Sequence, residues 1–319
     1  MKPVRLAVVG AGHMGRLHAT KIAARARERG DAALVAVADL DRERAEEVAA
    51  EEGVGSETDY HALFPEVDAV VVAVPTVAHG EVVAAALEAG LDVLVEKPIA
   101  ANVAEARALL ARARERGVLL QVGHLEWFNA AMQTVAERVT RPRFFEGHRL
   151  GPFTARATDV DVVRDLIIHD IDIVQRLVGE EPERIDAIGV PVLTEKVDIA
   201  NARLTFPGGA VANLTASRVS PTPMRKLRFF QPDGYISIDF LEQAVVIAQR
   251  EAPSASGERK IAIERVAIDR GDALASQLEA FLRGIRERRV EAGDADQGLS
   301  ALRTALRVND AMPPLESLL

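Results

Sequence analysis

Apolar residues in the first part of the chain gather into short unbroken runs, and the longer stretches between them read as helical. The runs cover Val4–Val9 and residues 33–38, 69–74, 92–95 and 118–122. Continuous runs of this length are what strands buried on both faces require. The helical stretches stop at Gly30, Gly53, Gly90 and Gly117, and glycine is the commonest residue just past a helix. Asn102 and Glu105 have capping-box spacing at the head of a helix that runs to Arg116. Five strands alternating with helices over residues 1–124 predict an α/β, doubly wound parallel sheet.

Beyond Gly123 the pattern changes. Strands are expected at residues 143–150, 184–190, 199–206, 210–217, 226–230 and 245–250, several of them joined by turn residues. Pro207-Gly208-Gly209 reads as a hairpin turn, and Gln231-Pro232-Asp233-Gly234 leads into a further strand at 235–238. Residues 252–259 read as a polar loop, and helical spacing returns at 272–289 and 296–308. This describes a C-terminal α+β domain with an open, mostly antiparallel sheet. The expected division is 1–124 for the first domain and 125–319 for the second.

The first strand enters Gly10-Ala11-Gly12-His13-Met14-Gly15 directly, and a helix follows. In a Rossmann dinucleotide site the first glycine allows the tight turn and the second lets the backbone approach a pyrophosphate. The third permits close helix–strand packing, and the helix N-terminus faces the phosphate charge. Asp39 ends the second strand near the ~20-residue offset at which a carboxylate meets the adenosine ribose. A carboxylate there repels a 2′-phosphate, so NAD is expected over NADP, with Arg42 and Arg44 close enough to soften the preference. Asp41 is the better candidate for the next helix cap, which leaves Asp39 for the ribose.

Composition narrows the classes. The chain has 319 residues, a length that favours two domains, and no cysteine, which excludes disulfides, thiolate catalysis and cysteine-bound zinc. Its net charge of −9 argues against nonspecific nucleic-acid binding. The longest apolar stretch, 69–78, contains Pro75 and falls far short of the ~20 residues a bilayer needs. The basic start leads straight into the glycine loop rather than a cleavage site. A cytoplasmic protein is expected, and no histidine–carboxylate cluster has metal-ligand spacing.

Two further patterns carry chemistry. The strand at 92–95 ends in Glu96-Lys97-Pro98, which places an ammonium beyond the carboxyl end of a parallel strand, where ligands bind in such sheets. Downstream, Asp165 and His169 stand four apart in an apolar helical stretch and so share a face. A carboxylate beside an imidazole fixes its tautomer, as a general acid/base needs.

Together the glycine loop, residues 73–76 with His79, Glu96-Lys97-Pro98, and Asp165 with His169-Asp170 resemble the Gfo/Idh/MocA oxidoreductases over the whole chain. The resemblance implies a catalytic set of Lys97, Asp165 and His169. It implies a cofactor site of Gly10, Gly12, His13, Met14, Gly15, Asp39, Pro75, Thr76, His79, Glu96 and Lys97. A cis peptide before Pro98 and a homodimer or homotetramer through the C-terminal sheet are also implied. Residues 124–129, 147–153, Arg156 and 159–163 are similar to a narrower bacterial branch. That branch oxidises the 3-hydroxyl of UDP-N-acetylglucosamine for diamino-sugar lipid A.

On this reading His169 accepts the hydroxyl proton, Asp165 orients it, and Lys97 stabilises the alkoxide or takes the proton itself. Arg149 and Arg156 are candidates for the diphosphate, with solvated loop charges as the alternative. His124 and Asn129 are candidates for sugar hydroxyls. Trp127 is expected to stack on a ring of the substrate or to pack at a domain interface. Three other functions stay open: an inositol or free-sugar dehydrogenase, a keto-sugar or tetrapyrrole reductase, and an NAD-binding regulator without turnover.

Overall fold

The computed structural model describes residues 2–154, 160–251, 260–289 and 295–314. Arg156 and the polar loop at 252–259 lie outside the described residues. Two compact units are present: residues 1–125 with 273–299, and residues 126–272 with 300–319.

The first unit runs β1 (Val4–Val9), α1 (His13–Arg29), β2 (Ala32–Ala38), α2 (Arg42–Glu52), β3 (Gly55–Glu57), β4 (Ala69–Val72), α3 (Thr76–Glu88), β5 (Asp92–Glu96), α4 (Val103–Arg116) and β6 (Leu120–Gly123). The strands form one parallel sheet in the order β3-β2-β1-β4-β5-β6. The three-residue β3 is a sixth strand beyond the five expected. Order reverses between β1 and β4, which makes the carboxyl ends of those strands the switch-point crevice of a doubly wound sheet. Helices α1, α2 and α4 end on left-handed Gly30, Gly53 and Gly117, as their sequence spacing requires. Asn102 caps α4 by accepting from the Glu105 N–H, but the Glu105 carboxylate reaches past Asn102 to the N–H of Ala101.

The second unit contains α5 (Ala130–Ala136), β7 (Phe144–Leu150), a π turn at Val163–Ile167 running into α6 (Ile168–Val178), and strands β8 (Arg184–Val190), β9 (Ile199–Thr205), β10 (Val211–Ser217), β11 (Met224–Gln231), β12 (Gly234–Asp239), β13 (Ala244–Arg250) and β14 (Ile261–Val266). Its sheet has the order β14-β13-β12-β11-β7-β10-β9-β8 and is antiparallel except between β7 and β10. One face carries Phe145, Leu214, Leu227, Phe229 and Ile236 into a core shared with Ile167, Ile171 and Val174.

Helix α7 (Ala273–Glu287) belongs to the first unit, where a division at 124/125 assigns it to the second domain. Leu278, Phe281 and Leu282 are buried in one cluster with Leu6, Ile22 and Leu94. Each such side chain gains roughly 1.5–3 kcal/mol on burial, so this helix is part of the first unit's core rather than an appendage. Helix α8 (Ala295–Asp310) starts in the first unit and ends in the second. Among the described residues no helix is long and apolar enough to cross a membrane.

Candidate active site

The crevice side of the first unit is built by the glycine loop. Gly10 adopts φ 99°, and a Cβ there would lie 2.5 Å from the Ala73 carbonyl oxygen, so only glycine fits. A Cβ on Gly15 would collide with the Gly10 carbonyl, so that glycine sets the approach of α1 to the loop. No side chain caps α1 at Gly12, and the space a Cβ would take there is open. The head of α1 is thus the end of a helix whose dipole favours an anion.

A cleft of about 590 Å³ lies against this loop, lined by Gly10, Gly12, Met14, Asp39, Val74 and Pro75 among others. Asp39 is not left free, as its position after β2 implied. Its carboxylate accepts from the N–H of Ala11 at 2.7 Å and from that of Asp41 at 2.9 Å, and Arg44 approaches to 3.6 Å. Each oxygen retains a second lone pair, so the pinned carboxylate can still accept from a ribose hydroxyl. Asp41 is the cap of α2, accepting from the Arg44 N–H. His13 is exposed at the head of α1, Pro75 is the exposed N-cap of α3, and Thr76 opens that helix. An anion-binding amide turn, an acidic ribose acceptor and a cleft between them fit a dinucleotide.

Lys97 follows the last residue of β5, is partly exposed, and joins Pro98 through a cis peptide bond. Glu96 was expected at the cofactor, but its side chain is buried and accepts a 2.8 Å hydrogen bond from His18 Nε2. Burial pushes the Glu96 carboxyl up, yet His18, Lys97 and His79 outweigh that and hold it below the ordinary glutamate range. His79 is also buried rather than presented to a ligand. Its Nδ1 lies 2.7 Å from the Pro98 carbonyl oxygen and its Nε2 2.9 Å from that of Val74. Burial pulls its pKa down against the opposing pull of the two carbonyls, Glu96 and Glu105. His124 is buried at the end of β6.

In the second unit Asp165 lies on the π turn and His169 in the first turn of α6, both partly exposed. The backbone N–H of Ile168, one residue before His169, bonds the Val163 carbonyl, five residues back. Such single π turns inside helices recur at functional sites. Asp161 caps this helix, accepting from the N–H groups of Val163 and Arg164.

Arg149 does not offer its guanidinium to a diphosphate. It is 2% exposed, directs Nε and Nη2 to Asp170 and Nη1 to Glu126, and lies over the Phe240 ring. A side chain that alternation along β7 turns inward must carry its counter-charges with it, and these two carboxylates supply them. Burial pushes the Asp170 carboxyl up against the pull of Arg149. Asn129 is likewise committed: it caps α5 through the Ala131 N–H and donates to the Phe240 carbonyl. Trp127 packs against the second unit's core and carries the Arg176 guanidinium 5.1 Å above its ring. Among the described residues no group of three or more His, Cys, Asp or Glu is placed to hold a metal ion.

Residues 4–124 match the oxidoreductase family with an NAD-binding Rossmann fold, and residues 130–237 match the GFO/IDH/MocA C-terminal domain. The chain belongs to the Gfo/Idh/MocA oxidoreductases. It is 40% identical over 310 residues, 97% of each chain, to a UDP-N-acetylglucosamine 3-dehydrogenase of Acidithiobacillus ferrooxidans. A solved structure of that organism's UDP-N-acetylglucosamine 3-dehydrogenase GnnA superposes with a TM-score of 0.91 over 98% of both chains. A myo-inositol 2-dehydrogenase of Thermotoga maritima is 27% identical over 94% of this chain and 93% of its own. Levoglucosan dehydrogenase in complex with NADH and levoglucosan shares the family fold at 18% identity, with a TM-score of 0.86 over 97% of both chains.

Proposed function

We propose that the protein oxidises the 3-hydroxyl of UDP-N-acetylglucosamine to the 3-keto sugar, with NAD as its cofactor. The observation that carries this reading is the 40% identity, over 97% of both chains, to the Acidithiobacillus UDP-N-acetylglucosamine 3-dehydrogenase. Identity to the inositol dehydrogenase is lower, at 27% over a comparable span. The keto sugar would serve an aminotransferase, the step that leads toward diamino-sugar lipid A. A cytoplasmic setting goes with this chemistry, since NAD and nucleotide sugars are made there.

Bound NAD supplies the hydride acceptor, and the chain supplies position, charge and a proton acceptor. The amides at the head of α1 hold the pyrophosphate, and Asp39 takes the adenosine ribose and disfavours a 2′-phosphate. His169 removes the proton from the reacting hydroxyl, because a neutral imidazole accepts a proton near pH 7. Asp165, on the π turn that runs into α6, orients the imidazole and stabilises it once protonated. The Lys97 ammonium offsets the charge that develops on the oxygen.

The assembly in this reading is a homodimer or homotetramer through the outer face of the second sheet. On that face Phe144, Phe230 and Tyr235 neighbour one another across β7, β11 and β12, with ring centroids 5.7 and 5.4 Å apart. The adjacent row places Asp186, Arg203, Asn213, Glu146 and Arg228 side by side. Alternating charge beside an aromatic row is self-complementary under a two-fold axis.

The test is NADH formation with UDP-N-acetylglucosamine beside myo-inositol and free glucose, with glutamate and an aminotransferase present to draw off the keto sugar. Turnover of the nucleotide sugar alone is expected. Turnover of myo-inositol alone would transfer the protein to the polyol dehydrogenases.

A further inference from the structure

The tripeptide that carries Lys97 is held on both sides by buried histidines from two different helices. On the amino side, His18 of α1 donates from Nε2 to the Glu96 carboxylate at 2.8 Å. On the carboxyl side, His79 of α3 places Nδ1 2.7 Å from the Pro98 carbonyl oxygen. Both imidazoles are 1% exposed. Neither helix head is therefore independent of the lysine: α1 follows the glycine loop, and α3 follows the turn at Val74 and Pro75 that lines the cofactor cleft.

The packing leaves this segment little freedom to slide. A Cβ at Gly123 would lie 3.0 Å from Glu96 Oε2, so the end of β6 closes the far side of that carboxylate. The second nitrogen of His79 lies 2.9 Å from the Val74 carbonyl, which links the lysine turn to the β4–α3 turn through one ring. A neutral imidazole donates from one of these two nitrogens, so an apolar side chain in His79's place would leave one of the two carbonyls without its donor, a cost the fold would relieve by moving one turn.

We propose that His18 and His79 are positioning residues, a two-sided clamp that fixes the Lys97 ammonium by gripping the residue before it and the residue after it. The clamp rests on the reading of Lys97 as the group that offsets charge on the reacting oxygen. A displacement of about 1 Å at such a group can cost 10²-fold in rate, while the pyrophosphate site at Gly12 is built from amides the clamp does not touch. The clamp thus acts on turnover through Lys97, and it reaches the cofactor cleft only at Val74, through the second nitrogen of His79.

The experiment combines a double-mutant cycle with lysine labelling on the full-length protein. His79→Phe and His18→Leu each remove one jaw, and His79→Gln and His18→Gln keep a donor. Each is measured in wild-type and Lys97→Ala backgrounds for kcat, KM and NADH affinity. In parallel, Lys97 is labelled with acetic anhydride across pH without cofactor and read by peptide mass spectrometry, with Lys226 as the reference. Removing a jaw should lower kcat about 10–100-fold and change NADH affinity less than about 3-fold, with partial recovery in the glutamine variants. It should have almost no further effect once Lys97 is alanine, because residues that act as a unit are not additive. The labelling curve of Lys97 should shift in both jaw variants. If Lys97→Ala turns over normally, the catalytic reading has failed, and the labelling curve alone decides the clamp. An unshifted curve, or losses that simply multiply in the cycle, would overturn it.

Discussion

The Asp39 carboxylate accepts a 2.7 Å hydrogen bond from the backbone N–H of Ala11. The acidic end of β2 is thereby tied to the glycine loop at the end of β1, beside the bond from the Gly10 N–H to the Ala38 carbonyl. Replacing Asp39 with alanine removes both the ribose acceptor and this tie. NAD affinity should fall about 10-fold or more, and NADP, no longer repelled and close to Arg44, should bind relatively better. Comparison of the two cofactors' dissociation constants checks this. An unchanged NAD/NADP ratio would remove Asp39 from the ribose site.

Lys97→Ala and His169→Ala should each reduce kcat by about 10²–10⁴-fold while NAD affinity changes little. Stopped-flow turnover with cofactor titration separates the two quantities. A variant that keeps the wild-type kcat would remove its residue from the catalytic set.

Arg149 is expected to matter for stability before it matters for substrate. Arg149→Met leaves the Asp170 and Glu126 carboxylates in the core without the guanidinium that balances them. Breaking a buried pair in this way costs roughly 3–5 kcal/mol. Urea unfolding of the variant should show that loss. A wild-type unfolding midpoint combined with a raised KM for the nucleotide sugar would restore Arg149 to the diphosphate site.

Asp31 predicts a loss in acid. Hydrogen bonding to Arg25, with the charge of Arg286 added, lowers its carboxyl from 3.8 to about 2. A depressed carboxylate stabilises the fold fully above the ordinary aspartate range and loses that contribution as pH falls through 3.8 toward 2. The side chain is partly exposed, so solvent screening reduces the contribution to about 1 kcal/mol. Asp31→Asn should therefore be less stable than wild type at pH 7, and the gap should close near pH 2. Denaturant titration at the two pH values measures it.

These cases separate what the sequence carried from what it did not. The ends of β8 were legible at 184 and 190, because turn residues punctuate alternating strands. The glycine loop and the Asp41 cap were legible because local backbone geometry dictates their residue types. Strand β3 escaped notice: three small or polar residues, Gly55, Ser56 and Glu57, pair with β2 alone and show no periodicity. Strand β14 was missed because Ile261 and Ile263 are exposed and only Val266 meets the core, so the run lacks the alternation of a half-buried strand. Arg149 reads as a diphosphate ligand or a solvated charge, and its buried pairing was hidden because its partners stand 21 and 23 residues away, with no pattern that links them. The Glu96–His18 contact spans 78 residues and was invisible for the same reason.

The return of the chain to its first unit sets an order of events during synthesis. The nucleotide-binding half begins to emerge from the ribosome first, yet Leu278, Phe281 and Leu282, which complete its core, are made only after the whole of residues 126–272. Domains generally fold as units in the order they are synthesised. Here the earlier half must wait, its apolar surface around Ile22 and Leu119 open, while the later half is already complete except for residues 300–319. The first unit's core therefore closes only when α7, made after residues 126–272, folds back onto it.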